Sequence, residues 1–293
     1  MKINSIGVIG GDLRQECLAK MMRDLGYNVY FAGFSEDFEQ DRNLVKMTDI
    51  KKDIKKCQLV ILPLPVANDF EYIFTPLSNE KIKIEEILYN LEKGTMILGG
   101  KISSDLIAEA TERMLYIEDY IERDDLSVLN AVPTAEGALQ IAMEEMLITL
   151  NGCNALITGH GRIAKVLIKL LMSFGANVTV AARKYGDLAW AKVEGCNGIH
   201  ISQLEKNISD IDVIFNTVPS KIFDKNILTM LKPECLLIDL ASKPGGVDFT
   251  CAKDLGIKTI WALSLPGRVA PITSAKIIRD TVLNIMAERG YTQ

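Results

Sequence analysis

The stretch Asn154-Ala155-Leu156-Ile157-Thr158-Gly159-His160-Gly161-Arg162-Ile163-Ala164 constrains this chain more than any other. An apolar strand runs into a Gly-x-Gly-x-x-Ala turn and then into a helix on which Ile163, Val166, Leu167, Leu170 and Leu171 recur at helical spacing. Gly159 permits the tight turn, Gly161 leaves bare backbone for a pyrophosphate, and Ala164 lets helix and strand pack closely, so that phosphates meet the positive helix N-terminus. Such a turn alone is common among loops. Here Gly175-Ala176 returns the chain to a second strand, Asn177 to Ala181, which closes a βαβ unit. The spacing predicts a dinucleotide cradle with Gly159, His160, Gly161, Arg162 and Ile163 at the phosphates.

A unit that prefers NAD carries Asp or Glu at the end of its second strand, about 20 residues past the glycines, to bond the ribose 2'-hydroxyl. This chain has Ala182-Arg183-Lys184 there. A carboxylate repels a 2'-phosphate, whereas a guanidinium grips it with paired charge-assisted hydrogen bonds. The expected cofactor is therefore NADP, with Ala182, Arg183 and Lys184 at its adenosine end.

At 293 residues the chain is long enough for two domains, each with its own core. Composition is that of a soluble globular protein, 48% hydrophobic and 24% charged. A net charge of -5 gives no broad attraction to nucleic acid or anionic membrane. No apolar run approaches the ~18 residues that span a bilayer, and no leader pattern precedes the first strand, so the cytoplasm is the expected compartment. The six cysteines are scattered without a Cys-x-x-Cys pair, which predicts buried free thiols and no metal site.

The first half repeats the alternation of strand and helix. Strand Ser5 to Ile9 leads through Gly10-Gly11-Asp12 to a helix near Arg14 to Leu25, and further strands are expected at 28–31, 59–62 and 95–98. Its glycines do not fit the cradle pattern, and Asp12 would oppose phosphates, so this half is expected to form a substrate-side wall. Alternating strands and helices imply parallel sheets covered on both faces. The predicted fold is α/β: two Rossmann-like, doubly wound parallel-sheet domains joined by a long helix, with the C-terminal helix packing back on the first. The expected segments are a flavodoxin-like domain at 1–133, an NADP-binding domain at 134–271 that opens with a linking helix at 134–150, and a returning helix at 272–293.

Pro133 reads as the start of the linking helix, with Thr134 as cap and Glu136 in its first turn; Asn130, Thr134 and Glu136 are then candidate substrate contacts. Beyond the βαβ unit, strand ends deliver Asn216-Thr217-Val218-Pro219 beside the cofactor, then Asp239, Ala241, Ser242 and Lys243, and finally Ser264, to one sheet edge. A carboxylate placed like Asp239 more often holds a loop through backbone N–H groups than acts as a catalyst.

The segments Gly7 to Gln15, Glu122 to Asp125, Val132 to Gly137, Asp239 to Phe249 and Leu265 to Pro271, together with the glycine turn, resemble the family of dipicolinate synthase A subunits over nearly the whole chain. His160 and Ile163 occupy variable slots of the turn, and Lys243 stands where the family pattern has Arg. The resemblance implies NADP-dependent oxidation of a dihydrodipicolinate-like diacid to dipicolinate in the mother-cell cytosol of an endospore-forming bacterium. It also implies a flavoprotein-like B subunit as partner, and self-association is expected. An aromatising oxidation removes a hydride and a proton, so the protein must orient a dianion and accept the proton. Lys101, Arg123, Lys243 and Arg268 are candidates for the carboxylates, Glu136 for the proton, and His160 for a pocket-edge side chain. Two other functions fit the layout: a 2-hydroxy acid or keto-acid dehydrogenase, whose usual histidine after the last strand is missing from Leu265-Pro266-Gly267, and a non-catalytic NADP-binding regulatory protein.

Overall fold

The computed structural model describes residues 2–68 and 71–291; residues 1, 292 and 293, at the ends of the expected segments, lie outside the described residues. The chain divides into two compact units, one of Met1–Asn130 with Ala270–Gln293 and one of Ala131–Val269.

In the first unit β1 (Ser5–Ile9), α1 (Leu13–Asp24), β2 (Asn28–Ala32), β3 (Leu44–Lys46), α2 (Ile50–Asp53), β4 (Leu59–Ile61), α3 (Ile84–Asn90), β5 (Met96–Gly99), α4 (Ser104–Glu112) and β6 (Tyr116–Asp119) follow in turn. The sheet runs β3-β2-β1-β4-β5-β6 with every pairing parallel. Alternate residues of each strand enter different cores, as a sheet covered on both faces requires. Ile6, Val8, Phe31 and Ile61 join Leu18 and Met22 of α1 and Ile278 and Val282 of the last helix. Ile9, Val60 and Ile97 join Ile87 of α3 and Leu106 of α4.

Helix α5 (Asp124–Glu145) leads into the second unit. That unit holds β7 (Asn154–Thr158), α6 (Arg162–Ser173), β8 (Asn177–Ala182), α7 (Tyr185–Val193), β9 (Asn197–His200), β10 (Val213–Asn216), α8 (Lys225–Leu228), β11 (Leu236–Asp239), α9 (Phe249–Asp254), β12 (Lys258–Trp261) and α10 (Leu265–Val269). Its sheet, β12-β11-β10-β7-β8-β9, repeats the order of the first and is again parallel throughout. Both are the doubly wound order, in which the direction of winding reverses beside the first strand and opens a crevice at the carboxyl edge. The final helix, α11 (Pro271–Glu288), packs on α1 in the first unit. Among the described residues no helix is long and apolar enough to cross a membrane.

The linking helix differs from its prediction. Pro133 lies inside α5 and does not start it, because Asp124 and Asp125 supply the acidic first turn that favours an earlier N-terminus. Thr134 is therefore not the cap of this helix, and Glu136 sits in the helix interior. The helix also stops at Glu145 and does not reach Leu150; Leu147 is wholly exposed, and the buried stripe is Ala131, Ala135, Ala138, Leu139 and Ala142.

In the first unit Phe31, Phe34 and Phe38 form a cluster with ring centroids 4.8–5.1 Å apart, and Phe34 is 2% exposed. Phe34→Ala leaves a cavity against two rings and is expected to lower the stability of this unit by about 3–5 kcal/mol, read as a shift of its urea midpoint.

Candidate dinucleotide site

At the carboxyl end of β7 the chain enters the glycine turn. Gly159 has φ +87°, and a Cβ there would stand 2.7 Å from Thr217 Oγ1 and 3.0 Å from Val218 Cγ2, so both conformation and space require glycine. Its N–H donates to the Ala181 carbonyl at 2.8 Å, tying the turn to β8. Gly161 is different: its φ of -83° is open to any residue, and a Cβ would meet nothing within 4 Å. It occupies the N-cap of α6 and, lacking a side chain, supplies no cap bond, so open space lies over Gly161 at this helix N-terminus. Ala164 is fully buried, and Ile163 half-buried, against the core beneath. This cradle suits a pyrophosphate: bare backbone above, helix dipole behind.

The matching turn of the first unit is closed. Asp12 caps α1, accepting from Arg14 N at 3.0 Å and from Arg14 Nε at 2.8 Å, while Arg14 Nη2 also donates to the Leu64 carbonyl. Gly11 N–H donates to the Phe74 carbonyl at 2.7 Å, and Ile73, Phe74 and Thr75 crowd Gly10.

Three strand ends of the second unit are joined by a buried polar ladder. Thr158 Oγ1 donates to Asn216 Oδ1 at 2.5 Å, and Asn216 Nδ2 donates to Asp239 Oδ1 at 2.7 Å and to the Val218 carbonyl at 3.0 Å. Asp239 further accepts from the N–H groups of Ala241 and Gly246 at 3.0 and 2.8 Å. All three residues have zero exposure. The side chains of Asn216 and Asp239 are buried and line no pocket: Asp239 holds its loop through backbone N–H groups, as expected of a carboxylate at a strand end, and Asn216 fixes the loop after β10. Thr217 and Val218 are half-buried beside Gly159, Ala241 is buried, and Pro219, Ser242 and Lys243 are exposed on the same edge.

His160 also departs from the prediction. Its side chain is 1% exposed and its Nε2 lies 2.9 Å from Glu194 Oε2, so it is packed under the turn and not at a pocket rim. Ala182 is buried and ends β8, whereas Arg183 and Lys184 are exposed, as is Arg162. Thr134 is half-buried and Glu136 exposed on α5. Gly137 meets Leu265 and Val269, which brings this turn of α5 against α10, the helix that carries the exposed Arg268. Lys101, exposed at the end of β5, borders a surface cavity of about 200 Å³ in the first unit together with Val66, Ser103 and Asp105. Arg123 is unavailable to a ligand: its guanidinium is shared between Asp125 and Glu288, with contacts of 2.7–3.0 Å. Glu194 and His200 belong to no sequence motif and no local signal points to them; Thr158 closes the strand of the glycine-turn stretch, where a polar residue ending a buried strand is the signal for its role.

Among the described residues no three His, Cys, Asp or Glu side chains gather as a metal-binding group. All six cysteines are free thiols, four of them buried, and burial raises Cys57 and Cys235 to about 12.

Fold and turn together define the class: a protein of paired Rossmann units with a dinucleotide cradle of the dehydrogenase type in the second. The N-terminal domain of the dipicolinate synthase A subunit is the family that matches residues 5–121, and the NAD-binding domain of D-isomer specific 2-hydroxyacid dehydrogenases is the family that matches residues 131–244. The dipicolinate synthase A subunit of Bacillus subtilis (strain 168) is 30% identical over 287 residues, 97% of this chain and 96% of that one. Its counterpart among crystal structures, also from Bacillus subtilis, superposes with a TM-score of 0.89 at 30% identity, covering 98% of this chain and 97% of that one. The A subunit from Bacillus halodurans gives 0.89 at 29% identity, covering 97% and 98%. The chain belongs to the family of dipicolinate synthase A subunits.

The corrected role of Arg123 carries a pH dependence. The hydrogen bond from Arg123 holds the Asp125 carboxyl down at about 2, against the cost of burial, with help from Asn284. A depressed folded pKa stabilises fully above the unfolded value of ~3.9 and is lost as pH falls through the folded one. The urea midpoints of wild type and Arg123→Ala should therefore differ most above about pH 5 and converge as pH falls towards about 2.

Proposed function

We propose that the chain oxidises a dihydrodipicolinate-type diacid to dipicolinate with NADP, acting with a flavoprotein-like B subunit and self-associating. The observation that carries the reading is the second unit's carboxyl edge: a glycine cradle with no side-chain cap and open space over Gly161, followed, at the end of β8, by exposed Arg183 and Lys184 where an NAD site has a carboxylate. The backbone of Gly159 to Ile163 would hold the pyrophosphate, Arg183 and Lys184 the 2'-phosphate, and the Thr217 to Pro219 and Ala241 to Ser242 segments the edge beside the ribose and nicotinamide. When bound, the nicotinamide supplies the hydride-accepting end of the reaction.

The substrate side falls to Lys243 and Arg268, exposed cations suited to carboxylates, with Thr134 as a hydrogen-bonding neighbour. Glu136 is the proton acceptor: the oxidation releases one proton from the ring, and a solvent-exposed carboxylate can take it and pass it on to water. A histidine-dependent hydroxy-acid mechanism has less to draw on. The chain has two histidines; one is buried against Glu194 and the other is bonded to the Arg183 carbonyl.

Purified chain incubated with dihydrodipicolinate and NADP should produce dipicolinate absorbance; product that appears only after the B subunit is added favours the non-catalytic NADP-binding alternative, and no product in either case rejects the reading. Gly161→Ala separates cradle from fold: with room for the methyl group, its melting temperature should match wild type, while NADPH affinity falls at least about tenfold in calorimetry. Arg183→Ala should weaken NADPH by about 10- to 100-fold and leave NADH within about twofold, since only the 2'-phosphate loses a charged partner. Equal loss for both cofactors rejects the 2'-phosphate site.

A further inference from the structure

Beside Arg183 the structure holds a group that the proposed reaction leaves unused. His200, the last residue of β9, is half-buried, and β9 pairs with β8 in register so that Ala182 faces His200. Its Nδ1 is 2.7 Å from Ser202 Oγ and accepts from Ser202 N at 3.3 Å, capping the 3-10 segment Ile201–Asn207. An accepting Nδ1 leaves the proton on Nε2, and Nε2 lies 3.1 Å from the Arg183 carbonyl. The same ring stacks on Tyr185 at 5.4 Å and 23°, although Tyr185 is otherwise 77% exposed.

These contacts bracket the exposed basic pair. The Nε2–H bond fixes the peptide plane between Arg183 and Lys184, and that plane sets the direction in which both side chains leave the backbone. The stack holds the first residue of α7, so the chain is pinned on both sides of Lys184. A guanidinium delivers paired hydrogen bonds to a phosphate only when its planar fork is correctly aimed. Lys184 occupies the α7 N-cap without a side-chain cap bond, its carbonyl accepting from the Asp187 and Leu188 N–H groups, and His200 adds the side-chain contacts that hold the two-residue link between strand and helix.

We propose that His200 is a positioning residue for recognition of the 2'-phosphate: through the Arg183 carbonyl and the Tyr185 ring it aims Arg183 and so sets the preference for NADP over NAD. The inference rests on the proposed use of NADP and adds a second determinant of it, on a neighbouring strand.

Two substitutions divide the imidazole's functions. His200→Gln can keep a donor near the Nε2 position for the Arg183 carbonyl; His200→Asn can keep an acceptor near the Nδ1 position for the Ser202 cap but cannot reach that carbonyl. Affinities for NADPH and NADH are measured by calorimetry on the full chain, with Arg183→Ala alongside. His200→Asn is expected to lower the NADPH-to-NADH preference by about tenfold, entirely through NADPH, and His200→Gln to restore most of it. If His200→Asn keeps the wild-type preference, if both cofactors weaken together, or if His200→Gln discriminates no better than His200→Asn, the inference is overturned. The control separates the two levels. When Arg183→Ala removes the preference and His200→Asn does not, only the role of His200 fails; when Arg183→Ala leaves the preference intact, the NADP reading fails and this inference with it.

Discussion

The carboxyl edge of the second unit depends on the ladder of Thr158, Asn216 and Asp239. Burying a carboxylate and an amide without partners would cost several kcal/mol each, and here the Asn216 and Asp239 oxygens and the Asn216 amide all find partners. The glycines that follow are part of the same constraint. A Cβ at Gly246 would stand 2.3 Å from Asn216 Nδ2, and one at Gly245 would stand 2.9 Å from Asp239 Oδ2, so the loop closes over the ladder only because both are glycine. Thr217 Oγ1 in turn donates to the Thr158 carbonyl at 2.7 Å and presses against Gly159. The shape of the glycine turn is thus set from beneath by three strand ends held at fixed heights.

The two units show how one topology hosts different sites. Strand order, parallel pairing and a glycine-bearing turn after the first strand are common to both. In the first unit the helix N-terminus is met by the chain's own carboxylate, Asp12, neutralised in place by Arg14, and Phe74 lies over the turn. In the second, a glycine without a side chain stands at the same position. The N-cap residue, its guanidinium partner and the segment over the turn together fill the first helix end and are not matched at the second, so function must be argued from these positions and not from the fold.

The alternation of apolar strands with helices makes both sheets legible in the sequence, because parallel strands buried on two faces are continuous apolar runs such as Leu156-Ile157 and Leu236-Leu237-Ile238. The glycine turn is legible for the same local reason. Three features are not. Pro133 reads as a helix start, yet the acidic pair at Asp124 and Asp125 lies outside the window in which a proline is interpreted. Asp239 reads as a loop-holding carboxylate and Asn216 as a cofactor-side residue; that the two face each other across adjacent strands is a property of the pairing Asn216↔Asp239, which only the sheet register fixes. Likewise His160 finds Glu194 34 positions away, a partner that no local pattern announces.

The cations proposed for anion binding are sorted by what already surrounds them. Arg123 lies between Asp125 and Glu288, with Glu118 beyond, and these carboxylates hold it charged well above the ordinary arginine range. Recruiting it to a substrate carboxylate would mean breaking two hydrogen-bonded pairs for one new pair, a net loss at a half-buried guanidinium. Arg183, Lys184, Lys243 and Arg268 stand exposed without a side-chain ion pair among the described residues. Binding an anion there breaks no existing ion pair, and the favourable contribution of a charge-assisted bond is retained. Availability, more than proximity in sequence to a motif, is therefore what distinguishes the cations proposed for ligands from those that hold the fold together.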